Sequence, residues 1–339
     1  MSALSLGWAK SEIAALALAV CCGSSGAQQA AFVPERIEGG VIRSWGNDAM
    51  GGVMAALQDG FRRYHPEVTF QNTLYGSGTG MAGIITGVSE LSLMGRPVTA
   101  NEVIGFEWVH RYKPLEIQVM TGSLTEDGKT PALAILVSAR NPATKISMAQ
   151  LAAILGCPGE RNQASTWAMA GVQGAWAVRA IHAYLYDSST GTGAFLQQAV
   201  MGEGDRWNWA DVREFKDVTR PNGTVYAAGR QIVDALRKDP NGLAVSTLGY
   251  AGTGVKALAL SGGGDAVPLS NESLSDGSYP LARGVSIDVN RKPGTPLDAR
   301  VKEFLSFILS EEGQDLVRRQ GDYLPLSESA VPEQRKKLE

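Results

Sequence analysis

Two short loops rich in Gly, Ser and Thr, each running straight into a helix-patterned segment, constrain this chain more than any other feature. They are Tyr75-Gly76-Ser77-Gly78-Thr79-Gly80 and Asp187-Ser188-Ser189-Thr190-Gly191-Thr192-Gly193, about 110 residues apart. A helix start offers unpaired N–H groups and the positive end of the helix dipole, glycine lets an oxyanion approach the backbone, and hydroxyls add donors. Two such loops suggest an anion held between two lobes. A turn with a helix cap is the plainer reading of Ser77, Gly78, Thr79 and of Thr190, Gly191, Thr192.

The segments around the loops follow the same logic. Gly40–Gly46 reads as a strand, and Met50, Val53, Met54, Leu57, Phe61 and Tyr64 recur at helical spacing from about Asp48 until His65-Pro66. Val68-Thr69-Phe70 leads as a strand to the first loop, after which Met81, Ile84, Ile85 and Val88 form a helical stripe. Strand, helix, strand, helix predicts an α/β fold. Strands are also expected at Leu115–Met120, Ala132–Val137 and Val285–Val289, and helices after Ser147, around Ile232, Val233 and Leu236 until Asp239-Pro240-Asn241-Gly242, and from about Leu297 to Arg319.

Polar breaks at Thr125–Pro131 and Ser270–Ser278 predict two interdomain crossings. Domain I then comprises 38–126 plus 280–339, domain II comprises 127–279, and a central cleft between them is a favoured place for a ligand.

The first 27 residues read as a secretory signal peptide: Lys10, the apolar run Ile13–Val20, then small residues to Ala27. The run is shorter than the roughly 20 residues that span a bilayer. Cys21-Cys22 resembles a lipobox, so the expected location is the periplasm or the outer face of the cytoplasmic membrane, with a lipid on Cys21 or Cys22 as a variant. Cleavage after Ala27 leaves Cys157 alone, a small buried hydrophobe with no partner for a disulfide. A net charge of −3 gives no bias toward nucleic acid.

Other chemistries fit poorly. Gly78-Thr79-Gly80-Met81-Ala82-Gly83 has the dinucleotide-binding spacing, but it follows the second strand in an exported chain. His65, His110 and His182 stand apart from any nucleophile pattern, and neither H-E-x-x-H nor paired C-x-x-C occurs. The expectation is a non-enzyme without cofactor or metal.

Several motifs in fixed order, namely Gly46-Asn47-Asp48-Ala49-Met50, Gly76–Gly80, Gly95-Arg96-Pro97, Asp187–Thr192, Leu248-Gly249-Tyr250, Tyr279-Pro280-Leu281-Ala282-Arg283, Val289–Gly294, Glu312-Gly313-Gln314 and Tyr323–Leu326, carry a resemblance. The chain resembles the phosphate-specific substrate-binding proteins of bacterial ABC importers, a branch of the type II periplasmic binding proteins, over nearly its whole mature length. The resemblance implies a two-domain α/β fold with mixed sheets flanked by helices. It also implies inorganic phosphate or a related oxyanion as ligand, an ABC permease with its ATPase as partners, and a monomer.

Carried over position by position, it implies a backbone N–H at Ala49 without the usual Thr hydroxyl, the hydroxyl of Ser77 with the N–H of Gly78, and Thr190-Gly191-Thr192 from the other lobe. Gly95 stands where an acidic or serine residue is usual, beside Arg96. Tyr186 stands where an arginine is usual, beside Asp187. The nearest remaining acceptors are Asp48 and Asp187, and the nearest countercharge is Arg96. These departures admit as alternatives another oxyanion, a small phosphorylated ligand, or a structural or signalling member without ligand.

Overall fold

The computed structural model describes residues 30–124, 129–156, 165–202 and 206–339. The expected leader with Cys21 and Cys22, Cys157, and residues 125–128 of the first crossing lie outside them. The chain opens with β1 (Gly40–Gly46), α1 (Gly51–Phe61), β2 (Val68–Leu74), α2 (Ser77–Thr86), β3 (Leu91–Met94), α3 (Ala100–His110) and β4 (Leu115–Thr121). Its middle runs β5 (Ala134–Ser138), β6 (Lys145–Ser147), α4 (Met148–Leu155), β7 (Ala183–Tyr186), α5 (Gly191–Met201), β8 (Val212–Phe215), β9 (Val218–Thr219) and β10 (Val225–Tyr226). There follow α6 (Ala228–Lys238), β11 (Leu243–Ser246), β12 (Val255–Ala257), β13 (Ala259–Ser261) and α7 (Asn271–Ser275). The chain closes with β14 (Gly284–Val289), α8 (Ala299–Ile308), α9 (Glu311–Gln320) and α10 (Ala330–Lys336).

Two mixed sheets result, ordered β2-β1-β3-β14-β4 and β12-β5-β11-β7-β8. In the first, β1 runs parallel to β2 and β3, while β14 returns from late in the chain to pair antiparallel with both β3 and β4. In the second, β7 lies parallel to β8 and β11, and β5 runs antiparallel to β11 and β12.

The first core packs Met50, which caps α1, and the α1 stripe Val53, Met54, Leu57 and Phe61, all fully buried, against Phe304, Phe307 and Ile308 of α8. Each such side chain contributes roughly 1.5–3 kcal/mol by leaving water. In the second sheet the apolar run of β5 is covered on both sides: Ile135 and Val137 join one core, Ala134 and Leu136 another. A strand buried on both faces is uniformly apolar for that reason.

Helix starts are chemically marked. Ser147 and Gln150 form a reciprocal capping box at α4, and Thr99 and Glu102 another at α3. Three expectations change. The C-terminal helix is two helices, because Ser310 Oγ accepts from Gly313 N–H and donates to the Phe307 carbonyl, ending α8 and starting α9 with a turn between them. Val88 lies past Gly87, whose left-handed conformation ends α2, and is exposed rather than part of the inner stripe. Tyr64 likewise lies beyond α1 and is exposed, its hydroxyl donating to Glu312.

The two passages between the sheets run side by side. Gly122 N–H donates to the Arg283 carbonyl at 2.8 Å, and Thr121 and Leu324 form a reciprocal antiparallel bridge. Thr130, on the first passage, holds a left-handed backbone with φ of 52°, an uncommon state for a β-branched residue.

Candidate functional site

A cavity of about 470 Å³ opens between the two sheets, lined by Asn47, Asp48, Ala49, Gly76, Ser77, Gly78, Gly95, Arg96, Thr130, Pro131, Ser189, Thr190, Gly191, Thr192 and Arg283. Both Gly/Ser/Thr loops line this one cleft, so the two helix starts face a shared space. The turn after β1 adds a third. At α2 the N-cap is Gly76 with φ of 95°, a conformation that favours glycine, and the N–H groups of Ser77 and Gly78 precede the first intrahelical bonds.

Ser77 Oγ accepts from Gly95 N–H at 3.2 Å, which leaves its own hydrogen to donate. Across the cleft, Thr190 caps α5: its Oγ1 accepts from Gly193 N–H at 3.1 Å and donates to the Asp187 carbonyl at 2.7 Å. Its hydroxyl is therefore fully committed, whereas the N–H groups of Gly191 and Thr192 follow the cap. Thr192 Oγ1 accepts from Arg283 Nη1 at 3.2 Å and keeps its hydrogen for a ligand.

Ala49, Gly95 and Arg96 also line the cleft, each in a modified role. The N–H of Ala49 donates to Asn47 Oδ1 at 3.0 Å, so Ala49 brings a methyl group, not a free donor. Gly95 is crowded: a Cβ there would meet Asn47 Nδ2, and would come to 3.1 Å from Thr130 Oγ1. Arg96 lies between the lobes, its side chain 3.9 Å from where a methyl on either Gly78 or Gly191 would sit. Its guanidinium is held bidentately by Glu102 at 2.7 and 2.8 Å. Burial alone would raise the Glu102 carboxyl, but the bonds from Arg96 and Thr99 hold it below its ordinary value. Arg96 thus faces the cleft as half of an ion pair.

Tyr186 and Asp187 are not among the residues that line the cavity. Tyr186, at the end of β7, packs against Gly229 and Tyr250, its hydroxyl 3.5 Å from Ser246 Oγ, and burial pushes that hydroxyl up to about 12. Asp187 is a turn residue whose carboxylate accepts from Ser189 Oγ at 2.6 Å and Ser189 N–H at 2.8 Å, bonds that lower its pKa.

The countercharge that sequence reasoning missed is Arg283. It is 6% exposed and reaches both lobes, with Nη2 donating to the Gly95 carbonyl at 2.9 Å and Nη1 to Thr192. Its Nε is buried without a partner, and among the described residues no carboxylate forms an ion pair with it. Burial lowers its pKa to about 10, which leaves it charged at neutral pH. The available signal was its place, directly after the apolar return segment Tyr279–Ala282 and just before β14. An uncompensated buried guanidinium is costly unless an anion completes it.

The sequence profile described as the PBP superfamily domain matches residues 33–312. The chain belongs to that family. Its curated relatives include the phosphate-binding protein PstS of Pseudomonas aeruginosa, 28% identical over 303 residues that make up 87% of each chain. Among solved structures, this PBP-family chain superposes on PstS of Borrelia burgdorferi with a TM-score of 0.57 and 18% identity, over 85% of this chain and 99% of the other. An ABC-type phosphate transport receptor from Vibrio cholerae gives a TM-score of 0.55 and 18% identity, over 84% and 100%. At that identity the structures speak for the fold, a PBP-type pair of mixed sheets flanked by helices.

Proposed function

We propose that this protein is the receptor of an ABC importer, capturing inorganic phosphate in the cleft between its lobes and delivering it to a membrane permease powered by an ATPase. The role is non-catalytic. The observation that carries the reading is Arg283, a buried guanidinium reaching both lobes with a free Nε–H and, among the described residues, no carboxylate partner. Around it stand the hydroxyls of Ser77 and Thr192 and the N–H groups of Ser77, Gly78, Gly191 and Thr192. A dehydrated anion needs this combination of countercharge and converging donors.

In this reading domain I comprises 38–126 and 280–339, and domain II 127–279, with the paired passages as the hinge. The cleft of about 470 Å³ is roomier than one tetrahedral anion requires. Ligand contact with both lobes then favours a tighter closed state. The protein acts as a monomer in the periplasm or at the outer face of the cytoplasmic membrane, where Cys21 or Cys22 would carry any lipid. Among the described residues no helix is long and apolar enough to cross a membrane.

Calorimetric titration with phosphate tests the reading. Saturable one-to-one uptake that is lost in Arg283→Met supports it, and no heat at millimolar phosphate overturns it.

A further inference from the structure

We propose that Asn47 turns the cleft into a cage of donors, so that the site accepts sulfate alongside phosphate. The proposal rests on reading the cleft as an oxyanion site. It starts from the orientation of one carboxamide. Ala49 N–H can only donate, so the Asn47 atom 3.0 Å from it is the oxygen, and the –NH2 end is the part turned toward Gly95. That amino group occupies the space in which any side chain at position 95 would begin.

The neighbouring groups are polarised in the same sense. Ser77 Oγ is an acceptor for Gly95 N–H, and Thr192 Oγ1 for Arg283, so each hydroxyl presents its hydrogen. The Gly95 carbonyl, which could have accepted a proton from a ligand, is taken by Arg283 Nη2. Glu102 is taken by Arg96 and Thr99. Asp48 is the one carboxylate among the described lining residues, and it is exposed to solvent.

A ligand that keeps a proton gains from a buried acceptor and loses where donors face that proton; a fully ionised tetrahedral anion has the opposite preference. Phosphate near neutral pH retains a proton and sulfate does not. With donors facing the ligand and no buried carboxylate among the described lining residues, discrimination between the two anions is small.

The test is calorimetric titration at neutral pH of the intact protein with phosphate and, separately, sulfate, together with Asn47→Asp and Asp48→Asn. Asn47→Asp keeps the oxygen that caps Ala49 and places a carboxylate oxygen over Gly95. Expected are sulfate and phosphate dissociation constants within about tenfold of each other for the natural sequence, and a sulfate loss of more than about tenfold relative to phosphate in Asn47→Asp. Phosphate binding with sulfate weaker by more than about tenfold in the natural sequence overturns the inference and leaves the phosphate reading standing. A strong preference for phosphate that Asp48→Asn abolishes does the same and assigns the acceptor to Asp48. If neither anion binds, both readings fail.

Discussion

Arg283 Nη1 donates to Thr192 Oγ1 at 3.2 Å, joining the segment that returns to the first sheet with the start of α5 in the second. The same guanidinium holds the Gly95 carbonyl at the end of β3, so one buried cation touches both walls of the cleft. Its charge sets the demand for an anion, and its geometry makes that demand depend on how the lobes meet.

Replacing Arg283 by Met is expected to weaken phosphate binding by about 2–5 kcal/mol, the range for removing one member of a buried charged contact. Arg283→Lys should recover part of this, since a point charge remains but the fork to Gly95 and Thr192 is lost. Titration calorimetry of the three proteins decides; equal affinities would remove Arg283 from the site.

Ser77→Ala and Thr192→Val each remove one hydroxyl whose hydrogen is free for a ligand. Each is expected to cost about 1–3 kcal/mol in anion affinity. Thr190→Ala should behave differently, since its hydroxyl is spent on capping α5: a stability loss of about 1 kcal/mol with a smaller effect on affinity. Denaturant melts alongside titration separate the two patterns.

Arg96→Met should change affinity less than Arg283→Met, because Glu102 already offsets the Arg96 charge. The expected penalty lies below the range of about 2–5 kcal/mol given for Arg283→Met. An effect as large as that of Arg283→Met would show that Arg96 leaves Glu102 to meet the ligand.

Gly95→Ala puts a methyl group against Asn47 Nδ2 and Thr130 Oγ1. Thermal unfolding should register a loss of about 1–3 kcal/mol from overpacking. If Asn47 is displaced, anion affinity falls with it.

Asp288 on β14 is fully buried, and burial, aided by the charges of Glu116 and Glu102 and opposed by Ser286 and Lys337, raises its pKa well above the ordinary value. A carboxyl raised in the folded state binds its proton more tightly there than in the unfolded chain. Its contribution is full below the unfolded value of about 3.9 and is lost as pH rises from there through the folded value. Asp288→Asn should therefore be more stable than the natural protein at pH 7, with the gap closing toward pH 4. Urea melts across that range check the sign; a gap that widens in acid would contradict the assignment.

Much of the fold was legible because it is written in local periodicity. The α1 stripe from Met50 to Phe61 and the apolar run of β5 depend on which side chains avoid water, and that spacing survives in one dimension. The break at Ser310 was missed because Val301–Ile308 and Leu316–Val317 keep a shared helical spacing across it. A serine followed three residues later by a glycine that packs on the Phe307 and Ile308 carbonyls marks the turn only once that packing is known.

The sequence by itself determined the two Gly/Ser/Thr loops at helix starts and the alternation that builds α/β sheets, since each rests on contacts between near neighbours. Only the tertiary structure decided which cation of the cleft is left without a carboxylate among the described residues. Arg96, adjacent in sequence to Gly95, is satisfied by Glu102 six residues on, while Arg283, 188 residues from Gly95, is brought onto its carbonyl by the pairing of β14 with β3 and, among the described residues, is buried there without a carboxylate. Charge availability depends on who else is near in space, and that is a property of the packed molecule.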